Sequence, residues 1–283
     1  MKINYGKKIS PPTIETAKAF GSTVEPVLLS GGQGTSYVSG NIVLKPTGGK
    51  SGTQWRAEVF SNLPQSAEVR FHRPIKSVNG QWDYDGYVAW TFLKGEHIKG
   101  QYSKKLKASH AFHKLLKDIP QPEGLKTPRG SWSTGNWVAL GQKEFNYDQE
   151  FMDLYNQIKP HLKPLPEDRQ LVHSDMGGNF LLDDVLPPAI IDFSGVWAPN
   201  GFGEGVMLAD AITWEDASSE ELEVFKQVPY IEQMAWRGTL TRIAEQAEHI
   251  KWFGKEKADA VEAAREFQKA IDYLCKAFSK KTI

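Results

Sequence analysis

The stretch that decides the fold runs Leu171-Val-His173-Ser-Asp175-Met-Gly-Gly-Asn179-Phe-Leu-Leu182, and it is followed by Ala189-Ile-Ile-Asp192-Phe193. One apolar run leads into a polar loop that carries histidine, aspartate and asparagine. A second apolar run leads into one more aspartate. Short apolar runs bounded by turn residues are typical of buried strands. The pattern therefore predicts two buried segments, each of which delivers polar side chains at its end.

This set of side chains suits phosphoryl transfer. One carboxylate, Asp175, would orient or deprotonate an acceptor hydroxyl, while the amide oxygen of Asn179 and the carboxylate of Asp192 would hold Mg²⁺ against the phosphates of a nucleotide. Mg²⁺ prefers hard oxygen ligands and needs few from the protein, because phosphates and waters fill the other positions. The alternative is a surface turn followed by a β-hairpin, which the apolar runs on both sides disfavour.

A glycine-rich segment, Gly31-Gly32-Gln33-Gly34-Thr35-Ser36, lies between two predicted strands, and Lys45 lies on the strand that follows. Glycines between strands let backbone N–H groups approach phosphate, and a lysine on the next strand reaches the α- and β-phosphates. Lys45 stands among apolar residues, where an unpaired charge is costly. We therefore expect Glu58, in the predicted helix that follows, to pair with it. The alternative is a glycine hairpin with a surface lysine.

Gly48-Gly49-Lys50-Ser51 resembles the end of a P-loop but is not one, because Leu44 stands where that motif needs its first glycine.

The hydrophobic period changes along the chain. The first ninety residues predict five strands and one helix, at 51–63, with Asn79-Gly80 as a hairpin turn. From residue 100 the apolar residues recur at helical spacing. Helices are predicted at 104–116, 148–162, 205–214, 222–225, 230–249 and 256–278. This predicts an α+β protein with a nucleotide-binding lobe at 1–93 and a helical lobe, carrying the catalytic loop and acceptor site, at 94–283.

The composition excludes several classes of protein. The 283 residues carry 34 Lys and Arg against 34 Asp and Glu, and this zero net charge gives no case for a general nucleic-acid binder. A single cysteine excludes a disulfide framework and a multi-cysteine zinc site. The sequence contains neither a signal-peptide h-region at its start nor a run of about 18 apolar residues. We expect a cytoplasmic protein with no membrane contact and no obligate protein partner.

Charge is unevenly distributed along the chain. Residues 170–225 contain no lysine or arginine and eleven acids, which include Asp175, Asp192, Glu204 and Asp210. A segment without counter-charge suits a metal or a cationic ligand, such as an amine-bearing acceptor, although a solvated face is the alternative. Glu204 and Asp210 follow the last motif aspartate, and we expect them on the acceptor side of the site.

Three further side chains have expected structural roles. We expect His173 to brace the catalytic loop rather than act as a base. His110 and His113 are three residues apart in a predicted helix, with no third metal ligand in view, so we expect a solvated helix face. Arg237 lies in an apolar helix, and we expect it to pair with an acid such as Asp210.

The ordered set of His173, Asp175, Asn179 and Ile191-Asp192-Phe193, preceded by a glycine loop and Lys45 with Glu58, resembles the aminoglycoside phosphotransferase and choline kinase group of small-molecule kinases. The resemblance covers nearly the whole chain. It implies a protein-kinase-like bilobal fold, with a five-stranded antiparallel N-terminal lobe containing one helix. It also implies ATP and Mg²⁺ as cofactors, and transfer of phosphate to a hydroxyl of a small molecule.

The resemblance also implies a role for each matched residue. Asp175 matches the catalytic aspartate, Asn179 and Asp192 match the Mg²⁺ ligands, and Lys45 with Glu58 matches the phosphate-binding pair. The remaining nucleotide-binding positions that it implies are Gly32, Gln33, Gly34, Thr35 and Ser36 for the phosphates, and Thr91, Phe92 and Leu93 for adenine.

The catalytic loop departs from the pattern of that group. Asn179 follows Asp175 by four residues instead of five, and Ser174 replaces a glycine. The shorter loop keeps a second function open, that of a nucleotide-binding regulator without turnover. Transfer of AMP to a protein is a third possibility.

Overall fold

The computed structural model describes residues 10–30, 34–48, 50–123, 131–253 and 257–278. The chain forms two compact units. The first comprises residues 1–95 together with 189–191, and the second comprises 96–188 together with 192–283. The boundary expected from the sequence, after residue 93, lies two residues before the boundary after residue 95.

The first unit is built on an antiparallel sheet. Its strands are β1 (Val27–Leu28), β2 (Tyr37–Ser39), β3 (Ile42–Pro46), β4 (Arg70–Phe71), β5 (Pro74–Ile75), β6 (Asp83–Tyr84) and β7 (Tyr87–Thr91). The sheet has the order β1-β2-β3-β7-β5, and β6 also pairs with β7. The strand β4 lies outside this sheet and pairs in parallel with β10 (Ala189–Ile190).

The sheet has six strands where the sequence predicted five. The predicted last strand divides into β6 and β7 at Asp85 and Gly86, whose φ angles are 50° and 78°. Two consecutive residues with positive φ form the type I′ turn that joins tight hairpins, for which Asp-Gly is a preferred sequence. Tyr84 accordingly pairs with Tyr87 across this turn.

Two helices accompany the sheet, where one was expected. The additional helix, α1 (Ile14–Ala19), begins at Thr13, whose hydroxyl accepts a hydrogen bond from the Thr16 amide at 3.2 Å. Ala17 of α1 and Phe20, which follows the helix, share one core cluster with residues of the sheet: Ile42, Leu44, Tyr87 and Ala89. The predicted helix is α2 (Lys50–Asn62), and its Phe60 packs edge-to-face on Trp90 of β7 at a centroid distance of 5.9 Å.

The second unit is mostly helical. Its helices are α3 (Tyr102–Leu116), α4 (Ser131–Ala139), α5 (Gln149–Ile158), α6 (Phe202–Thr213), α7 (Ser219–Leu222), α8 (Ile231–Phe253) and α9 (Lys257–Phe278). Its strands are β8 (Gln170–His173), β9 (Phe180–Leu181) and β11 (Gly195–Ala198), of which β8 and β11 pair antiparallel. None of the described helices combines the length and apolarity that crossing a bilayer requires.

The helix α4 is absent from the sequence prediction because its composition disfavours a helix. Its sequence, SWSTGNWVA, contains serine, threonine, glycine and asparagine, which have low helix propensity. Thr134, Asn136, Val138 and Ala139 are nevertheless buried. Tertiary packing therefore stabilises a helix that local preference does not.

The helices α6 and α8 touch backbone to backbone. A Cβ on Gly205 would overlap the Met234 carbonyl of α8, and a Cβ on Gly238 would overlap the backbone of Gly205. All residues of α6 are buried. Because neither position has room for a side chain, the two helices have a fixed separation and register at this crossing.

We predict that Gly238→Ala destabilises the protein by about 1–3 kcal/mol, the usual cost of overpacking. For a chain of this size this corresponds to a fall in Tm of roughly 2–4 °C per kcal/mol. The sign is diagnostic, because alanine in an unhindered helix position is about 0.5–1 kcal/mol more favourable than glycine. The measurement is thermal and urea unfolding.

The control for this variant is Gly48→Ala, since a Cβ at Gly48 meets nothing within 4 Å. A Gly238→Ala protein as stable as the Gly48→Ala protein would show that α6 and α8 are not in backbone contact.

Candidate active site

The paired strands β8 and β11 hold the two polar loops next to each other. His173, the last residue of β8, is opposite Gly195, the first of β11. The Ser174 amide extends this ladder by donating to the Ser194 carbonyl at 2.8 Å. Leu171 and Val172 of β8 are fully buried. The apolar run thus anchors the strand, and the loops that contain Asp175 and Asp192 leave it at the same end.

The imidazole of His173 ties these loops together. Its Nδ1 accepts hydrogen bonds from the Asp175 amide at 3.1 Å and from the Ser194 amide at 3.4 Å. The side chain is completely buried and packs edge-to-face on Phe193. This is the bracing role that we expected for His173.

Asp175 and Asn179 are brought into direct contact. The Asn179 side-chain Nδ2 donates to the Asp175 carbonyl at 2.8 Å and to Asp175 Oδ2 at 3.0 Å. With both hydrogens of the amide directed at Asp175, its oxygen Oδ1 is directed away and keeps its lone pairs for another ligand. Although Asn179 follows Asp175 by only four positions, the loop therefore still presents an amide oxygen.

Asp192 is the exposed member of the set. It has a left-handed backbone, with φ of 49°, at the start of the segment that leads into β11. Among the described residues, no three His, Cys, Asp or Glu side chains come together as a metal site. The oxygens of Asn179 and Asp192 are hard ligands of the kind that Mg²⁺ prefers, and phosphates and water would have to supply the rest of the coordination.

Asp175 is also bound to a buried arginine that the sequence analysis did not single out. Arg242 Nη2, from α8, lies 2.5 Å from Asp175 Oδ1 and 2.6 Å from Asp210 Oδ2. Arg242 Nε donates to Asp210 Oδ1 at 2.7 Å, and Nη1 donates to Glu245 Oε2 at 2.8 Å. The ring of Trp214 covers the guanidinium, with its centroid 5.7 Å from Cζ. One guanidinium therefore contacts three carboxyl groups.

The charges in this cluster shift the pKa values of its carboxyl groups in different directions. Burial acts to raise the pKa of Asp175, but the charge and hydrogen bond of Arg242 outweigh it, so the pKa is lowered. Burial raises the pKa of Asp210, and the nearby carboxylates of Asp175 and Glu215 raise it further. Together they outweigh the lowering effect of Arg242. Burial also raises the pKa of Glu245 to about 8, so Glu245 is mostly protonated at neutral pH.

Our expectation for Arg237 was wrong. Its guanidinium donates to the carbonyls of Ala139 and, at 2.6 Å, Lys163, and Asp210 pairs instead with Arg242, five residues further along α8. Both arginines lie in the same helix among apolar residues. The helical pattern alone does not show which of them faces the acidic group on α6.

The expectation of a solvated face for His113 was also wrong. His113 is 1% exposed, and its Nε2 accepts a hydrogen bond from the His173 amide at 3.0 Å. Its Nδ1 lies 3.0 Å from Glu204 Oε1, which also accepts from the Ser109 hydroxyl at 2.5 Å. Burial acts to raise the pKa of Glu204, but His113 and Ser109 lower it to about 2. An ionised Glu204 thus supports, through His113, the backbone at the end of β8, where the loop with Asp175 begins.

Glu204 and Asp210, expected as acceptor contacts, are both buried, and their role toward an acceptor stays a prediction. Both oxygens of Asp210 bind Arg242, whereas Glu204 has one oxygen, Oε2, with no hydrogen-bond partner among the described residues. Glu204 also lines a cavity of about 170 Å³ with Lys107, His110 and Asn200.

Several acids of the region without lysine or arginine bind groups of other segments. Glu215 accepts hydrogen bonds from the Gly100 amide at 3.0 Å and the Tyr102 hydroxyl at 2.8 Å. Asp216 Oδ1 lies 3.6 Å from Lys269 Nζ of α9. With Asp210 and Glu204 also engaged, less of the acidic excess is available to a cationic ligand than the sequence suggests.

The expected phosphate-binding residues lie in the first unit. Lys45 is on β3, half-buried and opposite Val88 of β7. Glu58 lies on α2, and its carboxylate accepts a hydrogen bond from Gln54 at 2.9 Å. The pairing of Lys45 with Glu58 stays a prediction.

Of the expected phosphate loop, Gly32 and Gln33 lie outside the described residues. Gly34 has φ of 65°, a conformation that suits glycine, and the Ser36 carbonyl accepts from the Leu29 amide at 2.9 Å. Thr35 lies between them.

The segment expected to bind adenine follows β7. The Thr91 amide donates to the Arg73 carbonyl at 2.9 Å, and the Phe92 amide donates to the Asn41 carbonyl at 2.8 Å. Of the three amides from Thr91 to Leu93, that of Leu93 is therefore the donor we expect adenine to use.

We predict that Glu245→Gln removes a pH dependence from stability. Because the folded-state pKa of Glu245 is raised to about 8, its contribution is fully present below the unfolded pKa, about 4.3, and is lost as pH rises through 8. Between pH 5 and 8 the wild type should therefore lose stability relative to Glu245→Gln, by at most about 1.4 kcal/mol per pH unit. Urea unfolding at several pH values measures this difference.

The matched control is Glu262→Gln, at an exposed position on α9. It should follow the wild type at every pH. A constant difference between wild type and Glu245→Gln across this range would contradict a protonated Glu245.

No family model and no curated protein matches the sequence. Solved structures do match its fold. An amicoumacin kinase in complex with AMP-PNP, Ca²⁺ and Ami has a TM-score of 0.62 at 13% identity, over 92% of each chain. AMP-bound spectinomycin phosphotransferase APH(9)-Ia has a TM-score of 0.59 at 14% identity, over 95% of this chain and 98% of that one.

Choline kinase LicA from Streptococcus pneumoniae has a TM-score of 0.57 at 13% identity, over 93% of this chain and 97% of that one. These similarities confirm the fold expected from the motifs. The chain has the protein-kinase-like α+β fold shared by aminoglycoside phosphotransferases and choline kinases.

Proposed function

We propose that the protein is an ATP- and Mg²⁺-dependent phosphotransferase that phosphorylates a hydroxyl of a small molecule. The observation that carries this proposal is the contact between Asp175 and Asn179, which holds a carboxylate and directs an amide oxygen away from it. Similar structures with bound AMP and AMP-PNP support a nucleotide as the donor.

In this proposal Asp175 orients the acceptor hydroxyl. Its side chain is 37% exposed and so accessible to a ligand, while Arg242 and Asn179 each engage one of its oxygens. A lowered pKa makes it ionised and a weak base. This suits phosphoryl transfer, whose loose transition state depends on the position of the nucleophile more than on its early deprotonation.

The other residues divide between nucleotide and metal. Lys45 and the segment 32–36 would bind the phosphates, and the backbone at Leu93 would bind adenine. Asn179 and Asp192 would hold Mg²⁺, which when bound neutralises charge that develops on the phosphates. Glu204, with one oxygen free of hydrogen bonds among the described residues, is the acid that we propose for acceptor contact.

A regulator that binds nucleotide without turnover is the second candidate, because the catalytic loop is one residue shorter than in the group that it resembles. AMP transfer would be recognised by an adenylyl rather than a phosphoryl adduct on protein incubated with ATP. ADP formation identifies the phosphotransferase, an adenylyl adduct identifies AMP transfer, and nucleotide binding with neither product identifies the regulator.

We predict that ATP with Mg²⁺, at about 100 times its Kd, stabilises the wild type by about 2.7 kcal/mol. This is a rise in Tm of roughly 2–4 °C per kcal/mol. Asp175→Ala should keep this rise, while Asp192→Asn should lose the part that depends on Mg²⁺. The control Asp184→Asn, at an exposed position in the same acidic region, should behave as the wild type. Thermal unfolding with and without Mg²⁺ measures these shifts.

Turnover is measured as ADP formation over a panel of hydroxyl-bearing small molecules. Asp175→Ala should lower it by about 10²–10⁴-fold. Stabilisation by ATP without ADP formation on any acceptor would favour the regulator. ADP formation that Asp175→Ala leaves intact would exclude Asp175 as the catalytic aspartate.

A further inference from the structure

We propose that Arg242 is a positioning residue for Asp175. It binds the Asp175 carboxylate on the buried side of the shortened catalytic loop and so fixes the position of that carboxylate. The inference rests on the proposed function, because it assigns Arg242 to the same site. The motif residues of the loop lie within a few positions of one another. Arg242 lies on α8, 67 residues from Asp175 in the chain.

The geometry of the guanidinium carries the first step. Arg242 is 7% exposed and contacts carboxyl groups on three separate elements: Asp175 in the loop, Asp210 on α6 and Glu245 on its own helix. Its contact with Asp210 is bidentate, through Nε and Nη2. A planar guanidinium with two fixed partners has little freedom to rotate. The Asp175 carboxylate is therefore held by a group that is itself immobilised.

The backbone of the loop also packs against Asp210, the partner of Arg242. A Cβ on Gly177 would overlap the carboxylate of Asp210, whereas a Cβ on the neighbouring Gly178 would meet nothing within 4 Å. The Asp210 carboxylate thus lies directly against the middle of the loop. Arg242 holds the Asp210 carboxylate in place, and this carboxylate in turn limits how closely the loop backbone approaches α6.

Asp175 is consequently anchored on its inner side and accessible on its outer side. Its side chain is 37% exposed, against 8% for Arg242. Within the loop, Asn179 binds the carbonyl and one carboxylate oxygen of Asp175. Arg242 binds the other carboxylate oxygen from outside the loop.

Arg242 has an alternative role as a mere counter-ion for buried acids. A counter-ion contributes to global stability, and any cation that reaches the acids would serve. A positioning residue, in contrast, changes the exchange of the loop amides and the turnover number more than it changes global stability or ATP affinity. The two roles therefore predict different measurements.

The experiment compares Arg242→Lys, Arg242→Met and Gly177→Ala with the wild type. ADP formation from ATP and Mg²⁺, with the best acceptor of the panel or with water, should fall by about 10²-fold in Arg242→Met and Gly177→Ala, the effect of a misplacement of about 1 Å. The KM for ATP should change by less than about threefold. Arg242→Lys should recover part of kcat, because an ammonium keeps the charge but not the planar fork.

Hydrogen exchange of amides 174–179 gives a readout that does not require turnover. In Arg242→Met and Gly177→Ala these amides should exchange at least about tenfold faster, with β8, α6 and α8 unchanged. Arg242→Met leaves buried carboxylates without their partner and could fail to fold. Gly177→Ala and Arg242→Lys keep a cation in place and test the same proposal.

Two controls complete the set. Arg265→Met, at an exposed position on α9, should match the wild type in ADP formation. Gly178→Ala should leave the exchange of amides 174–179 and the thermal stability unchanged. Loop exchange and kcat at wild-type values in Arg242→Met, or faster exchange spread equally over α6 and α8, would overturn the proposal.

The outcomes also separate this proposal from that of the function. Faster exchange confined to the loop, in a protein that forms no ADP, would support the positioning role and reject the phosphotransferase. ADP formation that depends on Asp175 but not on Arg242 would support the phosphotransferase and reject the positioning role.

Discussion

The candidate active site depends on one close approach, that of α6 to α8 at Gly205 and Gly238. Because the two backbones touch there, Asp210 on one helix and Arg242 on the other come within hydrogen-bond distance about one turn further along. The start of α6 is equally close to β8, since a Cβ on Gly203 would overlap the His173 carbonyl. The helix α6 thus supports the loop with Asp175 at its start, through His173, and at its middle, through Gly177.

Electrostatics explains why this support is built from charged groups. The whole chain is neutral, yet its acids and bases are segregated along the sequence. Folding brings the acids of α6 and of the segment that follows it against cations of α3, α8 and α9. Buried charges are tolerated only with partners of good geometry. Glu204 is paired with His113, and Asp210 and Glu245 are paired with Arg242. Burial nevertheless raises the pKa values of Asp210 and Glu245. The same interactions leave Asp175 ionised at its exposed edge.

The sequence was informative wherever the relevant contacts are local. The motif with Asp175 and Asn179 was predicted, and so was the bracing role of His173, because these residues lie within a few positions of each other. Most helices followed from hydrophobic period. The additional helix α1 and the hairpin at Asp85 and Gly86 had local signals, a threonine cap and an Asp-Gly turn, that could have identified them.

The remainder depends on contacts between distant segments. The helix α4 exists because it is buried against α8, despite its composition. The choice between Arg237 and Arg242 depends on the rotation of α8, and the burial of His113 depends on where β8 crosses α3. None of these follows from residue type or spacing, because each is decided by a partner more than thirty residues away.

The overlap between Gly177 and Asp210 has a consequence for how relatives of this chain should be sought. A side chain at 177 is compatible only with a smaller or displaced residue at 210, and a change at 210 removes the bidentate partner of Arg242. These three positions therefore constrain one another across three separate segments. A search pattern that scores Gly177, Asp210 and Arg242 jointly would carry information that motifs scored one at a time do not contain.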